Sequence, residues 1–168
     1  MGSPLNQLDV TNDLSSLEPE DREWAAALLK ERWDGPLVER LGELVDASLL
    51  PGFVARQGAE RAGLLTYEEN EGGLEVVTLD SLSEGRGIGS ALMLVAEHRA
   101  RELGQRRAFL LTSNDNLKAL GFCQRRGYRL VAVHRDAMVR ARALKPGIPM
   151  VGLEGIPLWD EIELEKFA

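Results

Sequence analysis

Residues 83 to 92 read SEGRGIGSAL. Gly85, Gly87 and Gly89 lie between an apolar run, GLEVVTLDSL, and a stretch of helical spacing, GIGSALMLVAEHRAREL. This junction constrains the fold more than any other feature of the chain. A strand that passes through glycines into a helix start builds an anion site. Glycine permits unusual backbone angles and lets a ligand approach the main chain. The first helical turn offers N–H groups without intrahelical partners, at the positive end of the helix. That field is worth only ~0.3–1 kcal/mol per charge at an exposed site, so several amides must act together. The backbone amides of Arg86, Gly87, Ile88, Gly89 and Ser90 are the natural donors, and Arg86 adds a formal charge beside them.

The pattern narrows the anion. A Walker loop needs Gly-Lys-Ser/Thr, and no lysine stands here. A dinucleotide fingerprint starting at Gly85 needs a glycine at position 90, which is Ser90. The segments before the loop also read as antiparallel strands. GFVARQ, RAGLLTYEE and GLEVVTLDSL are short, with the turn-rich GAE and NEGG between them, and predict a meander. After the loop, Ile88, Leu92, Val95, Ala96, Arg99 and Leu103 form one stripe, and Gly104 is a plausible stop. RRAFLLTS reads as a buried strand and NDNLKALGFCQRR as a helix capped by Asn114 or Asp115. YRLVAVHR is a strand, DAMVRARALK a helix, PGIPMVGLEGIP a long loop and EIELEKF a last strand.

Ahead of the meander, SLEPEDREWAAALLKERW predicts a helix, with Pro19 in its first turn and Glu18, Glu20 and Asp21 at its positive end. LVERLGELVDAS reads as a second, shorter helix ended by Pro51 and Gly52. Residues 1–14 are polar and expected to be loosely ordered. The fold class expected is α+β: a central, mostly antiparallel twisted sheet of about six to seven strands flanked by helices, in one domain spanning residues 1–168.

Lys and Arg number 20 against 27 Asp and Glu, a net charge of −7. An acidic chain repels phosphate backbones, so nucleic acid is not expected as a partner. A cationic, amine-bearing substrate suits that sign. No apolar run reaches membrane-spanning length and no secretory signal is apparent, so no membrane association is expected. The single cysteine, Cys123, rules out an internal disulfide and a thiolate-rich metal site, and a cytoplasmic location is expected.

EGRGIGSALM resembles the acyl-CoA pyrophosphate loop of the GNAT superfamily of N-acetyltransferases, written Arg/Gln-x-x-Gly-x-Gly/Ala. NDNLKALGFCQRRGYRL is similar to that family's second motif, with Asn116, Ala119, Phe122 and Gly127 in register. The resemblance covers Gly52 to Val133 and extends further only by element order. It implies acetyl-CoA as cosubstrate, no metal, and transfer of the acetyl group to a small-molecule or peptide amine. It also implies that the Leu79 N–H polarises the thioester carbonyl, that Ser81 and Asn116 contact the pantetheine arm, and that Arg86 to Ser90 hold the pyrophosphate.

Three positions depart from the family pattern: Glu84 at the first motif position, Leu79-Asp80-Ser81 before the loop, and Cys123 in place of the usual tyrosine acid. The last departure concerns the easier proton. A coenzyme A thiol titrates near ~8.5, whereas only about one alkylamine in 10³ is neutral at pH 7, a deficit of roughly 4–5 kcal/mol. A general base is therefore the larger need. Glu75 is the candidate, on the strand entering the loop with the side-chain parity of Val77 and Leu79. Asp80 falls on the opposite face of a regular strand, and a bulge would reverse that.

Cys123 is a candidate proton donor or an apolar filler. His98 and His134 read as surface residues, and Trp24 and Trp33 as packing residues or acceptor-pocket walls. Two rival functions remain open: an acyl-CoA-binding sensor without catalysis, and a dinucleotide-binding domain. EIELEKF is free in this reading to pair across a homodimer.

Overall fold

The computed structural model describes residues 12–168. The first eleven positions of the stretch expected to be loosely ordered lie outside it, while its last three begin an edge strand, β1 (Asn12–Ser16). A single turn of 3-10 helix at Pro19–Asp21 then leads into α1 (Arg22–Trp33). The region expected as a second helix is instead a hairpin of β2 (Leu37–Arg40) and β3 (Glu43–Asp46). Its leucines and valines do fall at helical intervals. The two-residue loop decides the matter: Leu41 and Gly42 have φ of 48° and 88°. Two consecutive positive φ values make the tight turn whose twist matches paired strands. The Gly42 N–H donates to Glu39 Oε1 at 2.8 Å, locking the turn.

The meander is as expected: β4 (Gly52–Gln57), β5 (Glu60–Asn70) and β6 (Gly73–Ser81). α2 (Ile88–Glu102), β7 (Arg107–Ser113), α3 (Leu117–Arg125), β8 (Arg129–His134), α4 (Ala137–Leu144) and β9 (Glu161–Phe167) complete the chain.

The main sheet has seven strands in the order β1-β4-β5-β6-β7-β9-β8. Only β6 and β7 run parallel. β9 threads between β7 and β8, so both of its edges are hydrogen-bonded within the chain. This corrects the expectation that the last strand is free to pair across a dimer.

Each face of the sheet carries its own apolar core. α2 lays Ile88, Leu92, Met93 and Ala96 on Leu65, Tyr67, Leu74, Val76 and Leu110. On the other face, Ala25, Leu28 and Leu29 of α1 and Val38 of the hairpin cover Val54, Leu64 and Val77. Residues buried on both faces explain why the central strands read as near-continuous apolar runs.

Two irregularities of the central strands shape a cleft between β6 and β7. β6 and β7 pair only over Leu74–Val76 with Ala108–Leu110, although both strands continue well beyond. The sheet therefore splits at the C-terminal ends of its one parallel pair, where ligands enter open sheets of this kind. The β5–β6 register also slips by one residue: Thr66 faces Thr78, but Tyr67 faces Val76, leaving Val77 as a bulge.

Candidate active site

A cavity of about 160 Å³ opens at the split. Val76 and Val77 of β6 form one wall and Leu111, Thr112 and Ser113 of β7 the other. Trp33, Val38, Glu39 and Arg40 close it from α1 and the hairpin, with Asn116, Met138 and Glu161 on the remaining sides.

The bulge sorts the β6 side chains. Val77 belongs to the α1-side core, Thr78 is bonded to Thr66, and Asp80 lies opposite Leu64 of that same core. Leu79 lies opposite Leu65 and packs on the α2-side core. Asp80 thus shares the face of Glu75, and the Leu79 side chain does not. This corrects the parity drawn from a regular strand. Asp80 is buried and accepts a hydrogen bond from Trp33 Nε1 at 2.9 Å. Burial raises its pKa, with the Trp33 hydrogen bond opposing.

Backbone direction matters more than side chain at Leu79. The Leu82 N–H donates to Ala62 O at 2.8 Å, which makes that pair a hydrogen-bonded one. Antiparallel pairs alternate. Leu79, three residues earlier and paired with Leu65, is therefore a non-hydrogen-bonded position, as is Ser81 opposite Gly63. The N–H and C=O groups of both residues point away from β5, into the cleft. The Ser81 hydroxyl donates to Ser83 O at 3.2 Å.

The glycine loop ends as an open helix start. Gly85 and Gly87 have φ of 76° and 72°, and Gly87 is the N-cap of α2, with no side chain capping the first turn. A side chain at either position would be strained in that left-handed conformation. Ile88 is buried and anchors the turn. Glu84 is paired with Lys118 of α3 by a charge-assisted hydrogen bond. The carboxylate that departs from the family pattern is thus engaged by a cation beside the loop.

Asn116 is the N-cap of α3, its Oδ1 accepting from the Ala119 N–H at 3.1 Å. The two residues expected to cap that helix do other work. Asn114 accepts from the N–H groups of Trp159 and Asp160, and Asp115 accepts from the Leu153 N–H. Both pin the long loop before β9. Cys123 is 3% exposed within the α2-side core, and burial pushes its thiol up to about 11.

Glu75 is 1% exposed and ion-paired with Arg40, which also bridges to Glu68. Burial raises the Glu75 pKa, and the charge and hydrogen bond of Arg40 hold part of that rise back. His98 is exposed beside Glu102. His134 is 29% exposed and meets Glu163 at 3.1 Å. Trp33 lines the cavity, whereas Trp24 packs on the α1-side core beneath Arg61.

Sequence reasoning missed Glu39, Arg40 and Glu161, which reach the cavity from the hairpin and from β9. Reading LVERLGELVDAS as a helix hid the first two. Glu161 carried one weak signal: a glutamate opening the alternation EIELEKF, next to a strand that has to be buried on both sides.

The described residues hold no group of three or more His, Cys, Asp or Glu side chains placed to bind a metal ion. They also contain no helix long and apolar enough to cross a membrane.

Residues 12–128 match the model of the Acetyltransferase (GNAT) family. The chain is 35% identical over 146 residues to the protein YxbD of Bacillus subtilis (strain 168), covering 86% of this chain and 92% of YxbD. Its fold superposes on the IAA acetyltransferase from Bacillus cereus ATCC 14579 with a TM-score of 0.67 at 18% identity, over 94% of this chain and 99% of the other. A GNAT family acetyltransferase from Elizabethkingia anophelis with acetyl-CoA bound gives 0.66 at 15% identity, over 95% and 100%.

Proposed function

The chain belongs to the acetyltransferase (GNAT) family, and from that premise we propose a single-domain enzyme that transfers an acetyl group from acetyl-CoA to a small-molecule or peptide amine by direct attack. One conjunction carries the reading. The uncapped start of α2 and the cleft-facing amides of Leu79 and Ser81 border a single split in the sheet. The first suits a diphosphate and the second an extended amide-bearing arm that ends in a thioester.

Acetyl-CoA supplies an activated acetyl group on a thiolate that leaves readily. The amides of Arg86, Gly87, Ile88, Gly89 and Ser90 hold its pyrophosphate. Ser81 pairs with the pantetheine amides through its backbone, and Asn116 adds its side-chain N–H₂, since its oxygen is committed to the Ala119 N–H. The Leu79 N–H, fixed by the strand before the reaction begins, donates to the oxygen on which negative charge develops. Such preorganised donors are worth most in a water-excluded site. Glu75 takes a proton from the attacking nitrogen through water. Cys123 falls at the sequence position of the family's tyrosine, but it packs in the α2-side core while Glu75 lines the cavity, so its contribution is the smaller. We also infer a cytoplasmic location, supported by the one free, buried thiol.

Calorimetry with acetyl-CoA, and separately with NAD, tests the reading. Heat with acetyl-CoA and none with NAD is expected, followed by thiol release when alkylamines are added. Absence of acetyl-CoA binding by folded protein overturns the proposal. Binding without thiol release across an amine panel leaves a non-catalytic acyl-CoA sensor.

A further inference from the structure

Glu161 is the most unusual charged residue near the cavity. It is 3% exposed, it lines the cavity, and among the described residues no donor reaches its Oε1. Glu39 comes to it from β2 of the hairpin, and Glu39 Oε2 is likewise buried with no donor among the described residues. Both carboxyl groups line the same cavity, and the charge of Glu39 acts on Glu161. Two carboxylates facing one cavity repel each other, so without a cation between them one retains a proton. The backbone N–H of Leu41 favours the ionised form of the Glu161 carboxyl. Glu39 is held in place by the Gly42 N–H at 2.8 Å. Glu39 is thus fixed near the end of β2 by the turn that follows it, and Glu161 stands at the start of β9.

A buried acceptor without a donor is costly unless a ligand completes it. The cavity lining includes the apolar Trp33, Val38, Val77, Leu111 and Met138, with Thr112, Asn116 and the Glu161 strand partner Ser113 as its uncharged polar members. An anionic seat with an apolar neck fits a primary ammonium on a carbon stem. The nearby cation does not meet that need. Both terminal nitrogens of Arg40 are taken by Glu68 and Glu75, and the Arg40 Nε is itself buried without a partner.

We propose that the Glu39–Glu161 carboxyl pair is the seat of the acceptor's primary ammonium and takes the first of its two departing protons. The proposal rests on the acetyl-transfer reading and names the acceptor class for it. The empty pair holds one proton. An entering ammonium displaces that proton to solvent and binds the doubly ionised pair. The ammonium then gives one proton to the pair, which passes it on to solvent. The neutral nitrogen forms its bond to the acetyl carbon as the carbon–sulfur bond breaks. The second proton goes to Glu75 through water and from there to the departing thiolate.

Burial, then the neighbouring Glu39 carboxyl, push the Glu161 carboxyl up to about 8. The other charged groups on this side are Glu75, Arg40 and Glu43 near the hairpin, and Glu163 with His134 and Arg107 along β9. Arg40, Arg107 and His134 are already matched to carboxylates, which leaves the pair as the group that responds to a cation.

The test is calorimetry of n-butylammonium and of a short alanine-initiated peptide binding to the full chain with CoA present. It is run at neutral pH in two buffers of different ionisation enthalpy. Buffer-dependent heat showing nearly one proton released per amine bound is expected for the wild type. Whichever of the two probes binds identifies the source of the ammonium. Glu161→Gln and Glu39→Gln should each abolish the proton release and weaken amine binding roughly 10- to 100-fold. Acetyl-CoA heat should be unchanged in both variants, which separates this proposal from the reading beneath it.

A ¹³C-carboxyl titration gives an independent readout. One glutamate should titrate well above the usual carboxylate range, vanish in Glu161→Gln and fall in Glu39→Gln. Binding without proton release, equal affinity in Glu161→Gln, failure of both amines to bind, or no raised carboxyl in the titration each overturns the assignment.

Discussion

Replacing Glu75 by Gln should slow acetyl transfer near neutral pH far more than replacing Cys123 by Ser. A positioned general base is worth about 10²–10⁴ in rate, and Glu75→Gln removes it. The substitution also has a structural cost. Glu75 is 1% exposed, and its partner Arg40 is 13% exposed. Breaking a buried pair costs about 3–5 kcal/mol, and the low end applies because Arg40 keeps Glu68. That lies within the roughly 5–15 kcal/mol margin of a domain, so the variant folds with its melting midpoint lowered by about 6–12 °C.

Cys123→Ser places a hydroxyl in an apolar core at about 1–3 kcal/mol, with no charge lost and little change in rate per folded molecule. The assay is thiol release from acetyl-CoA across pH, below both midpoints, with the folded fraction fixed by circular dichroism. Burial raises the Glu75 pKa against the opposition of Arg40. The wild-type rate should therefore climb with pH above the ordinary carboxylate range as Glu75 ionises, and Glu75→Gln should flatten that climb. Equal rate losses in the two variants, or an unchanged pH limb in Glu75→Gln, would refute the reasoning.

Three further outcomes are expected. Gly87→Ala puts a side chain at φ 72° in open space, so it should cost about 1–2 kcal/mol of strain and weaken CoA binding. Gly104→Ala, at φ 71° past the other end of α2, should cost similar stability and leave the CoA titration unchanged. Asp21→Ala should lose about 3–5 kcal/mol in denaturant titrations, because Asp21 is fully buried between Arg56 at 2.6 Å and Arg61 at 2.8 Å. Burial pushes the Asp21 carboxyl up, but Arg61, the Glu18 N–H and Arg56 together hold it below its usual value. The stability it supplies is therefore present above the unfolded carboxylate pKa and lost as pH falls through the lowered one. Asp21→Ala should remove that acid limb.

Local rules carried much of this protein. Three closely spaced glycines at a strand end, followed by a helical stripe at Ile88, Leu92 and Ala96, were enough to locate the uncapped helix start and α2. Turn-rich breaks at GAE and NEGG were enough for the β4–β5–β6 meander. Periodicity and turn chemistry act over a few residues, so they can be read along the chain.

Tertiary structure decided the rest. The bulge at Val77 arises from register against β5, and it moves Asp80 onto the face of Glu75 and the Leu79 side chain off it. The hairpin at Leu37–Asp46 overrode a helical pattern because two residues with positive φ fit a strand turn and Val38 found a core to enter. β9 became interior because the sheet opens for it between β7 and β8. Glu39 and Glu161 meet only through those two events. A carboxyl pair formed between remote strands has no spacing rule, and its chemistry exists only once both are desolvated together.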